Sequence, residues 1–193
     1  LLGEEGIACN LEAAQVAAQG AVCRAPRQAI IEFFTRSEAD RLFVEGVLSG
    51  EAFYEEAKRQ LSFDIDCGTF KTFYNDIFEP NPPVEAIIKN AKRKYTLAIL
   101  SNTNPFHFPY ILEKFPIMSY FDHCLVSYEM KCQKPHYAAY EKTLAVLGLA
   151  PQQVVFIDDR EENVLGAAQI GMKAIHYTTP EALTKQLDKY GVK

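Results

Sequence analysis

The chain of 193 residues is 48% hydrophobic and carries 20 basic against 25 acidic residues, a net charge of −5. That size and apolar content suit one ordinary domain or one core with a smaller insertion, and without a basic stripe or a run of like charges nucleic acid is excluded as the expected partner. No apolar run approaches the roughly 20 residues that span a bilayer, and the start LLGEEGIACN has neither a basic n-region nor a long apolar stretch, so a cytoplasmic protein without membrane contact is expected.

Up to about residue 80 the apolar spacing is helical. Segments 11–21, 29–34, 38–47 and 51–61 are joined by Gly or Ser, and Ser37 stands three residues before Asp40 as in a capping box. The stretch FDIDCGTF (63–70) follows. Two aspartates one residue apart and then Gly-Thr could hold a nucleophile, an acid and a metal ion together. The residues before it, EEAKRQLS, read instead as a charged helical tail, and those after it as a helix with Asp66 or Thr69 near its N-cap. The stretch is therefore expected to belong to the helical region.

After EPNPP (79–83), where Asn81 can cap a helix opening on Pro82, the pattern changes to alternation. A helix from Val84 precedes the strand TLAILS. A helix after Pro105, the strand HCLVS, the helix HYAAYEKTLAVLG, the strand VVFIDD, the helix EENVLGAAQIG, the strand KAIHY and a helix from Pro180 complete the chain. Such alternation folds as crossovers around a parallel sheet. The expected fold class is α/β, a Rossmann-like parallel sheet core with helices on both faces (81–193), plus a small N-terminal helical domain (1–80). Cys9, Cys23, Cys67, Cys124 and Cys132 are odd in number and form no CxxC pair, which favours reduced thiols used for packing.

In such a sheet ligands bind beyond the carboxyl ends of the strands, and three polar clusters stand there. Ser101, Asn102 and Thr103 offer a hydroxyl, an amide and the N–H groups of the next helix, a cradle for phosphate, although all three are also ordinary N-caps. Lys134 stands just before Pro135 at a helix start, where a cation opposes the helix dipole; a solvated surface charge is the plainer reading. Asp158 and Asp159 are adjacent carboxylates whose repulsion a hard cation such as Mg2+ would relieve, with an N-cap pair as the alternative. A hydroxyl, a lysine and an acidic pair converging on one sheet edge point to phosphoryl chemistry.

These residues carry a resemblance. Residues 81–176 resemble the core of the haloacid dehalogenase superfamily: LAILSNTN matches its second motif, QKPHYAAYE its third and VVFIDDREENVLGAAQIGM its fourth, in the expected order. The helical half resembles the small cap domain that the superfamily's phosphatases insert after their first strand. The resemblance implies that Ser101 and Asn102 bind the transferring phosphoryl group. It implies that Lys134 stabilises charge on that group and on the nucleophile, that Asp158 and Asp159 hold Mg2+, and that Asn163 supports their loop. It also implies a first motif, a buried apolar strand ending in Asp-x-Asp or Asp-x-Gly, whose first Asp attacks phosphorus. Nothing in residues 1–20 has that form, so the nucleophile is expected upstream of Leu1, and the sheet is expected to lack its central strand.

The expected function is a Mg2+-dependent phosphatase of small phosphorylated metabolites working through an aspartyl-phosphate. A halide hydrolase of the same superfamily needs no metal, and the resemblance would then give a Ser-rich fourth motif. A catalytically silent phosphate-binding or regulatory protein that lost its nucleophile is the third reading. In the cap, Arg36 and Arg41 are candidate substrate contacts. Thirteen Phe and ten Tyr could also cover a homodimer interface.

Overall fold

The computed structural model describes residues 25–192, so the expected helix at 11–21, with Cys9 and Cys23, lies outside the described residues. In chain order the helices are α1 (Arg27–Arg36), α2 (Glu38–Val44), α3 (Gly50–Leu61), α4 (Cys67–Asn75) and α5 (Pro82–Ala91). There follow β1 (Ala98–Ser101), α6 (His107–Lys114), β2 (His123–Val126), α7 (Ser127–Met130) and α8 (Tyr137–Leu147). The last elements are β3 (Val155–Asp158), α9 (Glu161–Gln169), β4 (Lys173–His176) and α10 (Pro180–Lys189). Among the described residues one unit ends at Glu79 and takes in Thr103–Phe115, and a second comprises Pro80–Asn102 and Pro116 onward.

The first unit is built from capped helices around an aromatic core. Ser37 Oγ accepts from Asp40 N at 3.0 Å, Ser49 Oγ from Ala52 N at 3.2 Å, and Asp66 Oδ1 from Gly68 N at 2.8 Å and Thr69 N at 3.0 Å. Each bond satisfies an N–H that the start of a helix leaves without a partner. Helix α2 stops at Val44, short of the expected residue 47, because Gly46 turns the chain with φ +66°. Phe33, Phe34, Phe43, Phe53, Phe70 and Tyr74 are buried together. Phe43 stacks on Phe53 at 4.2 Å between centroids, and Phe70 on Tyr74 at 5.5 Å. Burying a side chain of this size stabilises by about 1.5–3 kcal/mol, so these rings hold the unit together.

FDIDCGTF belongs to this unit. Phe63 stacks on Phe70 in the core, Asp66 caps α4 and also accepts from Thr69 Oγ1 at 2.6 Å, and the Asp64 side chain is 98% exposed. Neither aspartate stands at the end of a strand.

The second unit is α/β. Asn81 Oδ1 accepts from Val84 N at 3.3 Å and opens α5 on Pro82. β1 pairs in parallel with β2, from Ala98 opposite His123 to Ser101 opposite Val126. β3 pairs in parallel with β4, from Val155 opposite Lys173 to Asp158 opposite His176. All four strands lie where the alternation placed them, and parallel neighbours joined by helices give the Rossmann-like α/β class. Instead of one continuous sheet, however, the described residues form two separate parallel pairs. β1 is only half-buried along its length and Ile157 of β3 is 40% exposed, whereas strands inside a parallel sheet are covered on both faces. The expected central strand is not among the described residues.

Two apolar clusters support these strands. Tyr140, Phe156, Ala167 and Met172 form one, with Leu100 packed against it; Ile175, Leu183 and Leu187 form the other. Cys67, Cys124 and Cys132 are free thiols. Among the described residues no helix is long and apolar enough to cross a membrane.

Candidate active site

The carboxyl ends of β1 and β3 meet at one ammonium group. Lys134 Nζ donates to the Leu100 carbonyl of β1 at 2.7 Å and to Asp158 Oδ2 at the end of β3 at 2.6 Å. Both side chains of this ion pair are more than nine-tenths buried. An ammonium has three N–H donors, and the third has no partner among the described residues.

Lys134 is anchored at its backbone as well. Asn102 Oδ1 accepts from Lys134 N, and Asn102 Nδ2 donates to Lys134 O, both at 2.8 Å. Ser101 therefore lies between two residues that bind Lys134.

The acidic pair divides in two. Asp158 is buried, and its Oδ1 accepts from Arg160 N and from Asn163 Nδ2, each at 2.9 Å. Asp159 is exposed, and its backbone carbonyl lies 2.9 Å from His176 Nε2. Lys134 cancels one of the two negative charges, so the pair retains a net negative charge. Of the roughly four lone-pair positions of the Asp158 carboxylate, two on Oδ1 and one on Oδ2 are occupied, which leaves one on Oδ2. That position and the exposed Asp159 carboxylate are two neighbouring oxygen donors, which suits Mg2+, an ion that takes one or two carboxylates and keeps several waters. Among the described residues no third His, Cys, Asp or Glu joins them.

Helix α9 holds the acidic loop close. A Cβ on Gly166 would lie 2.9 Å from Tyr140 Oη and 3.1 Å from the Pro135 carbonyl, a separation that side chains do not tolerate. Glycine thus lets α9 approach the turn that carries Lys134, and Tyr140 Oη donates to the Asn163 carbonyl at 2.8 Å. Burial, with help from the charges of Asp158 and Glu162, pushes the Tyr140 phenol up to about 12, so it remains a donor at neutral pH.

Asn102, Lys134, Asp158 and Asn163 are joined by hydrogen bonds, Ser101 and Asp159 adjoin members of this network in the chain, and Arg41 of the helical unit pairs instead with Glu38 and Glu45. Sequence reasoning missed two contributors, the Leu100 carbonyl and Tyr140, because each meets its partner across a long stretch of chain. Asn104 Oδ1 accepts from Phe106 N at 3.0 Å and His107 N at 2.9 Å, closing the turn into α6.

Comparison with known proteins identifies the family. The sequence profile of haloacid dehalogenase-like hydrolases matches residues 12–171. The chain belongs to the haloacid dehalogenase-like hydrolase family. It is 30% identical over 98 residues to a phosphoglycolate phosphatase of Pasteurella multocida, covering 50% of this chain and 44% of that protein. It is 28% identical over 141 residues to a glyceraldehyde 3-phosphate phosphatase of Methanothermobacter thermautotrophicus, covering 72% of this chain and 61% of the relative. The chain thus spans less than two thirds of either phosphatase. In fold it is similar to a HAD family enzyme of Bacteroides thetaiotaomicron solved with magnesium and inorganic phosphate. The TM-score is 0.73 at 21% identity, covering 91% of this chain and 86% of that one.

Proposed function

We propose that this haloacid dehalogenase-like hydrolase is a Mg2+-dependent phosphatase of small phosphorylated metabolites, acting in the cytoplasm through an aspartyl-phosphate. The observation that carries the reading is the Lys134 ammonium, fixed between β1 and the Asp158 carboxylate with one N–H left for an anion. Two curated relatives named as phosphatases support the same class of substrate.

On this reading residues 81–193 are the catalytic core and residues 1–80 the cap. Ser101 Oγ and Lys134 Nζ bind two oxygens of the phosphoryl group, and the Asn102 loop lies beside them. The Lys134 ammonium is held in place before the substrate arrives, so charge that develops on the phosphoryl oxygens is met with little reorganisation there. Asp158 and Asp159 would hold Mg2+, which when bound neutralises phosphoryl charge. Asn163 keeps the Asp158 carboxylate in its orientation. The attacking carboxylate comes from outside the described residues, and a strand lying between β1 and β3 would deliver it beside Lys134.

The test is phosphate release from 2-phosphoglycolate and glyceraldehyde 3-phosphate, with and without Mg2+. Release should require Mg2+, and Lys134→Ala or Asp159→Asn should lower kcat/KM by on the order of 100-fold. Equal release without Mg2+ would overturn the reading. Calorimetric binding of orthophosphate with Mg2+ but no turnover would replace it with a silent phosphate-binding module.

A further inference from the structure

Lysine is long and rich in rotamers, so a lysine that must present its ammonium at a fixed point has to be held at both ends. Here the ammonium end is held by Leu100 O and Asp158 Oδ2. The backbone end is held by one side chain, because Asn102 accepts from Lys134 N and donates to Lys134 O, both at 2.8 Å, across 32 residues of sequence. A single carboxamide thereby takes the place of a neighbouring strand for both polar groups of the Lys134 main chain. Leu100 and Asn102 flank Ser101, so the bonds close a ring that runs from the Lys134 backbone through Asn102, Ser101 and Leu100 back to the Lys134 ammonium.

We infer that Asn102 is a positioning residue, which serves the site by holding Lys134 in register with Ser101 and not through its own side-chain contact with substrate. The inference rests on the proposed phosphatase reading for its purpose, but not for its geometry. The chemistry is specific to asparagine. Aspartate keeps an acceptor for Lys134 N yet sets a carboxylate against the Lys134 carbonyl, and alanine removes both bonds.

The first measurement needs no turnover. Acetic anhydride labelling of the native protein, read by mass spectrometry, compares Lys134 with the exposed Lys94 in the same sample. In the parent Lys134 should react far more slowly than Lys94. Asn102→Ala should raise the Lys134 rate relative to Lys94 by roughly tenfold, the response to removing two hydrogen bonds of modest net worth from the closed state. Asn102→Asp should give a smaller rise and Ser101→Ala none. If Asn102→Ala does not fold, Asn102→Asp carries this measurement alone. A Lys134 rate in the folded Asn102 variants equal to that of the parent overturns the inference.

The second measurement is a double-mutant cycle on p-nitrophenyl phosphate with Mg2+. Asn102→Ala combined with Lys134→Ala should lose no more kcat/KM than Lys134→Ala alone, since a residue acting through lysine has nothing left to act on. Losses that multiply overturn the inference and place Asn102 on the substrate. If the parent releases no phosphate, the phosphatase reading falls, and the labelling result still decides the role of Asn102.

Discussion

The two units bury ionisable groups in opposite ways. In the α/β unit Lys134 and Asp158 form a buried ion pair at 2.6 Å. In the helical unit burial shifts each group toward its neutral form. His107 is stacked on Tyr74 at 4.1 Å, and burial pushes its imidazole down to about 4. Its Nε2 meets the Tyr74 carbonyl at 3.0 Å, which can only accept, so the proton sits on Nε2 and Nδ1 accepts from Asn104 Nδ2 at 3.2 Å. Asp40, half-buried, is pushed up to about 7 by burial, and the Tyr74 phenol is raised well above its ordinary value by burial and then by Asp40. Neutral groups suit a unit that only has to pack. A charged pair held in the interior suits the place where an anion must be met.

Lys134→Met tests the paired side of this contrast and should have the largest effect. It leaves the Asp158 carboxylate buried without its cation, which costs about 3–5 kcal/mol. Adding Asp158→Asn should recover most of that loss, because no uncompensated charge then remains. Guanidinium unfolding measures both. A loss under about 1 kcal/mol for Lys134→Met would mean that water already screens the pair, and the contrast would fail.

His107 tests the neutral side. Its folded value of about 4 lies below the ordinary 6.5, so between these values the unfolded chain binds more protons than the fold. The contribution is complete above pH 6.5 and declines as pH falls toward 4, by about 3 kcal/mol in all. Protonation also turns Nδ1 into a donor facing the donor Asn104 Nδ2. Thermal unfolding from pH 7 to pH 4 should show the decline, and His107→Gln should flatten it. The measurement is cleanest in an Asp40→Asn background, since Asp40 titrates in the opposite sense over the same range. No difference between His107 and Gln across that range would mean that the ring is charged in the fold.

The same contrast explains what could be read from the sequence. FDIDCGTF and VVFIDDREEN each hold two aspartates, and composition does not distinguish them. Context does: the first follows a charged helix and the second an apolar strand, and the structure gives the first a helix cap and the second the Lys134 partner. All four strands and the capping roles of Asn81 and Asp66 were legible because each rests on local pattern. The bond between Asn102 and the Lys134 backbone was not, because it joins positions 32 apart and asparagine after a strand has a local explanation as a cap. The neutral cluster was hidden for a similar reason. His107 and Tyr74 are 33 residues apart, and neither carries a signal of burial beyond its apolar neighbours.

The smallest effect belongs to Asp40→Asn, and its sign is the point. A carboxyl raised from 3.8 to about 7 is favoured as the neutral acid in the fold, whereas the unfolded chain ionises it from about pH 4 upward. Stability from this group is therefore full below pH 3.8, falls as pH rises toward 7, and stays low above it. Asparagine cannot ionise, so the variant should be more stable than the parent by about 1 kcal/mol at pH 8, a modest figure because Asp40 is only half-buried, and no more stable at pH 4. Thermal unfolding at the two pH values measures the difference. A loss of stability at pH 8 would mean that the ionised Asp40 has a partner in the fold, so that the helical unit handles a buried carboxylate as the α/β unit does.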